Sequence, residues 1–167
     1  MTTRLSPANA SSQGATDPYA RLEALGLKLP PPPSPIANFR TAIQEGEMVF
    51  LSGQGPTAED GTLYTGKVGD AVTTQQAYLH ARLTGLNLLS VMHDLLGDLR
   101  RVRRVIKIFG MVNATPDFTE HSAVIDGCSD LFCAVFGEAG QHSRTAMGVG
   151  SLPRLITVEI ETVIAVR

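Results

Sequence analysis

Arg144, Pro153, Glu159 and Glu161 stand in the stretch HSRTAMGVGSLPRLITVEIE, residues 142–161, among small and apolar neighbours. An arginine is well suited to gripping a planar carboxylate, because its rigid fork of N–H donors meets both oxygens at once. If a turn centres near Leu152 and Pro153, antiparallel pairing sets Arg144 opposite the neighbourhood of Glu159 and Ile160. Alternation along the second strand then puts Ile156, Val158 and Ile160 on one face and Thr157, Glu159 and Glu161 on the other. Two readings fit this placement. One is an ordinary surface ion pair, worth ~0–1 kcal/mol. The other is a guanidinium on a cleft wall, presented to a ligand carboxylate. A second stretch, VFLSGQGP (49–56), runs an apolar strand into Ser52 and Gly53. A glycine there lets backbone N–H groups approach a ligand, although a plain strand-end turn uses the same residues. The GxSxG setting of a nucleophile elbow is missing, as are GxGxxG and P-loop patterns.

These residues need elements to position them. PYARLEALGLKL (18–29) reads as a short amphipathic helix with Asp17 as cap and Pro18 in its first turn. LPPPPSP (29–35) fits only an extended polyproline connector. FRTAIQEG and EMVFLSGQGP predict a hairpin turning at Glu45-Gly46-Glu47, followed by a Gly- and Asp-rich loop. From Thr73 to Gly97, Ala77, Ala81, Thr84, Leu88, Val91 and Leu95 recur at helical spacing, with a threonine cap at the start and Gly97 at the end. Residues 100–114 read as a strand from Val102 onward. The next segment reads as a second helix with Val124, Cys128, Leu131 and Val135 on one face. Strands over 143–151 and 155–166 complete the order β-β-α-β-α-β-β. That order predicts an α+β two-layer domain with a mixed sheet packed on two helices. The expected organisation is a flexible tail over 1–17, a helix and Pro-rich connector over 18–35, and the α+β domain over 36–167.

The bulk composition narrows the function classes. A chain of 167 residues suits one domain. With 43% hydrophobic and 18% charged residues, it is too apolar for a disordered protein. A net charge of −2, no tryptophan and 5% aromatic content argue against a nucleic-acid partner. RRVRR (100–104) alternates with valines and reads as the solvated start of a strand. Cys128 and Cys133 have neither redox nor zinc spacing, so both are expected as reduced packing residues in a cytoplasmic protein. His80, His93, His121 and His142 lack metal-ligand spacing, and no metal is expected. No apolar run reaches membrane-spanning length, and the first residues lack the apolar core of a secretory signal.

Taken together, FLSGQGP, the strand–helix order and SRTAMGVGSLPRLITVEIE resemble the Rid family, the reactive-intermediate deaminases also called YjgF-like. The most specific part is the spacing from Arg144 to Pro153, nine residues, and from Pro153 to Glu159, six more, ahead of Glu161. The resemblance spans about residues 36–167. It implies a chorismate-mutase-like fold assembled as a homotrimer, with sites in clefts between subunits. It also implies hydrolysis of enamines and imines to ammonia and a 2-oxo acid without a metal or cofactor. Other relatives have been described as ribonucleases, translation inhibitors or chaperone-like proteins.

Carried over by residue, the resemblance gives Arg144 the substrate carboxylate, Glu159 the attacking water, and Ser52 and Gly53 the edge of the ligand site. Three positions depart from the archetype. Phe39 stands for its site tyrosine, Asp126 for its asparagine and Ala146 for its cysteine. Phe39 makes the pocket more apolar, which suits a larger imine. Asp126 leaves two arrangements open: an anion beside the ligand, or a partner for Arg144. The expected function is therefore deaminase-type hydrolysis of a carboxylate-bearing imine. The alternatives are a non-catalytic trimer that binds small carboxylates and, behind it, an RNA-acting protein.

Overall fold

The computed structural model describes residues 17–35 and 37–167. The expected tail over 1–17 lies outside these residues, save Asp17. Helix α1, Pro18–Ala24, starts as expected, with Pro18 in its first turn and the Asp17 side chain accepting from the Tyr19 N–H. Two strands follow, β1 Ala42–Glu45 and β2 Met48–Gln54, and then the long helix α2, Thr74–Leu96. Thr73 and Gln76 close a capping box at the start of α2, and Gly97 ends it in the left-handed region at φ 73°. Strand β3, Val102–Asn113, leads to helix α3, His121–Phe136, and the chain closes with β4, Ser143–Val149, and β5, Val158–Val166. The chain thus forms the expected α+β fold, a mixed sheet with its core against two helices.

The sheet runs in the order β1-β2-β5-β3-β4. All neighbours are antiparallel except β3 and β4, which are parallel. This overturns the expected hairpin of the last two strands: β5 inserts between β2 and β3, and β4 stays at the edge. The physical reason lies in their side chains. Val158, Ile160 and Ile164 of β5 are fully buried, as a central strand requires, whereas every residue of β4 keeps some exposure. The link between them is a crossing segment. Arg154 and Leu155 take positive φ values of 54° and 58°, and the segment then pairs with the loop through Thr157 N–H to the Tyr64 carbonyl. Thr157 is buried, with its hydroxyl 3.0 Å from His80 Nδ1, and does not share an exposed face with Glu159.

Helices α2 and α3 lie together on one sheet face. Gly127 makes that contact possible, because a Cβ there would overlap the backbone carbonyl of Tyr78. Val124, Cys128, Leu131 and Val135 of α3 are all buried, as their spacing predicts. On α2 the expected stripe holds from Ala77 to Val91 and then turns. Leu95 is exposed and Leu96 is buried instead, where α1 docks through the Tyr19 hydroxyl to His93 and Leu99. Both cysteines are free, and burial holds the Cys128 thiol far above its ordinary value. Among the described residues no helix covers the opposite sheet face, and Ile43, Phe50 and Met147 are exposed there.

Candidate functional site

The expected site residues fall into two groups on opposite faces of the sheet. Arg144 pairs in register with Ile108, and Ala146 with Gly110, which packs on Ile125 of α3. Arg144 and Ala146 therefore face the helices. Glu159 alternates with buried Val158 and Ile160 and faces the other way. Strand β3 also separates β4 from β5, a lateral gap of ~10 Å. Within one chain, Arg144 and Glu159 do not grip the same small molecule.

The first group surrounds Glu159. An irregularity in the β2–β5 register leaves Ser52 and Gly53 of β2 between the pairs Leu51–Thr162 and Gln54–Ile160, one residue more than β5 supplies. The bulge lets the Glu159 carboxylate lie directly over Gly53, where a Cβ would overlap it. Burial first, and then the charge of Glu161, push the Glu159 carboxyl above its ordinary value. Ser52 ties the preceding segment down: its hydroxyl donates to the Arg40 carbonyl at 2.7 Å and its N–H to the Thr41 carbonyl at 2.9 Å. Phe39, 42% exposed, Gly53 and Glu159 all line a cavity of about 420 Å³.

The second group is built on α3 and β4. Arg144 Nη1 donates to Asp126 Oδ1 at 2.6 Å and to Ser129 Oγ at 3.0 Å. The arginine side chain is 22% exposed and that of Asp126 48%. Of the two arrangements open for Asp126, the ion pair with Arg144 is the one formed. His142 Nδ1 lies 2.6 Å from the Gly140 carbonyl, which can only accept. In the neutral ring Nδ1 therefore carries the proton, and Nε2 accepts from the Ser129 hydroxyl at 3.0 Å. Ser129 passes this order on to the guanidinium. Nη2 and Nε of Arg144 have no hydrogen-bond partner among the described residues, so one edge of the fork stays available to a carboxylate.

Over residues 19–159 the chain matches the family described as "YjgF/chorismate mutase-like, putative endoribonuclease". The chain belongs to the YjgF family. It is 40% identical over 146 residues to Protein TCP17 of Trypanosoma cruzi, covering 87% of this chain and 91% of that one. It is also 26% identical over 141 residues to a 2-iminobutanoate/2-iminopropanoate deaminase of Dermatophagoides farinae, covering 84% and 94%. Among solved structures, protein Atu1372 of Agrobacterium tumefaciens superposes with a TM-score of 0.84 at 37% identity, over 95% of this chain and all of that one. The YjgF match begins at Tyr19, in the helix ahead of the connector. For this YjgF-family chain the expected Rid-like role holds at the level of the family.

Sequence reasoning did not reach Ser129 and His142, nor the cavity walls contributed by the connector and by Leu63, Arg154 and Ile156. Asp126 and Ser129 stand three residues apart on one helix, a spacing that puts both on one face and could have flagged the serine. The walls had no such signal, since they come from three separate loops. Among the described residues there is no group of three or more metal-ligating side chains, and no helix is long and apolar enough to cross a membrane.

Proposed function

We propose that this chain hydrolyses imines or enamines bearing a carboxylate, releasing ammonia and a 2-oxo acid, in a cleft completed by a second copy of itself. One observation carries the reading: the site is divided. A guanidinium with a free edge lies on one sheet face, and a half-buried carboxyl beside an open cavity lies on the other. A neighbouring copy that brings its Arg144 edge to the Glu159 cavity joins the two halves. The uncovered sheet face supports self-association, since Ile43, Phe50 and Met147 lose apolar area to water only when another surface covers them. A closed ring of copies meets this requirement, and the homotrimer expected of the family is such a ring.

In this reading Nη2 and Nε of Arg144 hold the substrate carboxylate and fix the C=N carbon against a water on Glu159. The Glu159 carboxylate takes a proton from that water while the oxygen adds to the imine carbon, and it passes this proton to the nitrogen, which restores the carboxylate. The resulting carbinolamine loses its hydroxyl proton to the carboxylate. Glu159 delivers that proton to the nitrogen as the C–N bond breaks, so ammonia leaves as the carbonyl forms. An enamine first gains a proton on carbon to become the imine. A carboxyl raised above its ordinary value accepts and returns protons at a working pH better than an unperturbed one. Ser52 and Gly53 shape the wall that holds Glu159 in place, and the Ala146 and Gly53 backbone flanks the tetrahedral centre.

The Asp126 contact favours one second reading, because it neutralises part of the Arg144 charge: a trimer that binds small carboxylates without chemistry. An assay that generates imines with an amino-acid oxidase separates the two. Accelerated ammonia release that is lost in Arg144→Ala and in Glu159→Gln supports the enzyme. Binding of 2-oxo acids with no acceleration on any imine selects the binding protein.

A further inference from the structure

The cavity beside Glu159 is larger and more apolar than the smallest imino acids require. Its volume is about 420 Å³, within the range of pockets that enclose sizeable ligands. Pro33, Pro35 and Phe39 form one wall, Leu63 and Ile156 another, with the Glu159 carboxylate at one side and Arg154 at the rim. The imine derived from alanine has six non-hydrogen atoms and would leave most of this space unfilled. The prolines are stiff, and the segment after the connector is tied to β2 by the Ser52 hydrogen bonds to the Arg40 and Thr41 carbonyls, which anchors the chain next to Phe39.

A second observation is independent of the connector. Arg154 and Leu155 are successive non-glycine residues in the left-handed region, at φ 54° and 58°. Such backbone costs energy and persists where the surroundings impose it, often beside ligands. Here it carries Pro153, Arg154 and Ile156 onto the cavity rim.

We propose that this cavity receives the substrate's side chain, and that the preferred substrates are imines of bulky uncharged amino acids, branched aliphatic or aromatic. The proposal rests on the deaminase reading for its chemistry and on the cavity for its selectivity. The Glu159 carboxylate disfavours an acidic side chain, and a basic one would engage the group that must activate water. With side-chain carbons leaving water for an apolar wall, the leucine-derived imine should exceed the alanine-derived one by about 20-fold in kcat/KM.

The experiment uses the full chain and imines made by an amino-acid oxidase from leucine, phenylalanine, alanine and glutamate. Binding of 4-methyl-2-oxopentanoate, pyruvate and 2-oxoglutarate is measured alongside by calorimetry. The proposal expects the leucine- and phenylalanine-derived imines to lead. It also expects Ala37→Phe, which adds a ring at the exposed connector wall, to bring the leucine-to-alanine ratio close to one. Equal or better turnover of the alanine-derived imine overturns the proposal. So does a lead by the glutamate-derived imine, which would assign the rim arginine to an acidic side chain. If no imine is turned over, the deaminase reading fails and binding decides the cavity. Tighter binding of 4-methyl-2-oxopentanoate than of pyruvate supports the side-chain pocket; equal, weaker or absent binding overturns it.

Discussion

Replacing Asp126 by asparagine removes a negative charge from beside Arg144 while keeping an oxygen that can accept from Nη1. The wild-type contact is 2.6 Å, with Asp126 about half exposed, at 48%. A ligand carboxylate on the free edge of the guanidinium would lie about 6 Å from Asp126. Two like charges at that distance repel by about 0.7 kcal/mol in water and about 2.8 kcal/mol at the effective dielectric of a protein surface. The exposure of Asp126 favours the lower part of that range, about 1–1.5 kcal/mol, or roughly 5- to 12-fold in affinity. An opposing effect comes from the guanidinium itself, since a neutral amide holds Nη1 less firmly than a carboxylate does. The net expectation is that Asp126→Asn binds 2-oxo acids about 3- to 10-fold more tightly. Asp126→Ala should gain less, because nothing on that helix position then orients the arginine. Calorimetric titration with pyruvate and 4-methyl-2-oxopentanoate measures the change, and raising the salt to about 0.5 M should shrink it by screening. Unchanged or weaker binding by Asp126→Asn at low salt would refute the claim that Arg144 presents its free edge to a carboxylate.

Gly53→Ala should lower imine hydrolysis by about 100-fold or more, because the new methyl displaces the Glu159 carboxylate. The atom it meets is the end of a flexible side chain, so melting should change little, and an inactive but normally melting variant is the expected result. Glu159→Gln tests the raised carboxyl through stability. A carboxyl whose native value lies above its unfolded value binds more protons when folded, so stability falls as pH rises from the ordinary 4.5 through the native value. The glutamine variant should therefore melt higher than wild type at about pH 8 and equal to it at about pH 4. A glutamine variant that melts lower at the higher pH would contradict the desolvation argument. Gly127→Ala should destabilise the fold by about 2–4 kcal/mol in denaturant titration, since its Cβ meets the Tyr78 carbonyl across the α2–α3 contact.

The helices were legible because their signals are local. A threonine cap and Gly97 mark both ends of α2, and the buried stripe of α3 follows from spacing alone. The partner of β4 was not legible. Arg144 and Glu159 are joined by a turn-like Leu152-Pro153, and proximity in sequence favours a hairpin. The deciding difference is between the fully buried β5 and the edge character of β4, and it becomes visible only once β3 is available as a neighbour. The same limit applies to the site. Ser52, Gly53 and Glu159 come together through a bulge that no residue pattern announces, and the pairing that the Arg144-to-Glu159 spacing suggested is not formed. Asp126 beside Arg144 was one of two foreseen arrangements, and the helix-to-edge-strand geometry decided between them.

The central claim is that Arg144 of one copy works with Glu159 of another, and mixed assemblies test it directly. Arg144→Ala and Glu159→Gln chains carrying different tags would be co-expressed and the mixed assemblies isolated. In the proposed three-membered ring, either mixed composition has one cleft that pairs an intact Arg144 with an intact Glu159 from the adjacent copy. The account predicts recovery of about one third of wild-type imine hydrolysis from two nearly inactive parents. Activity no greater than that of the separate variants would contradict it.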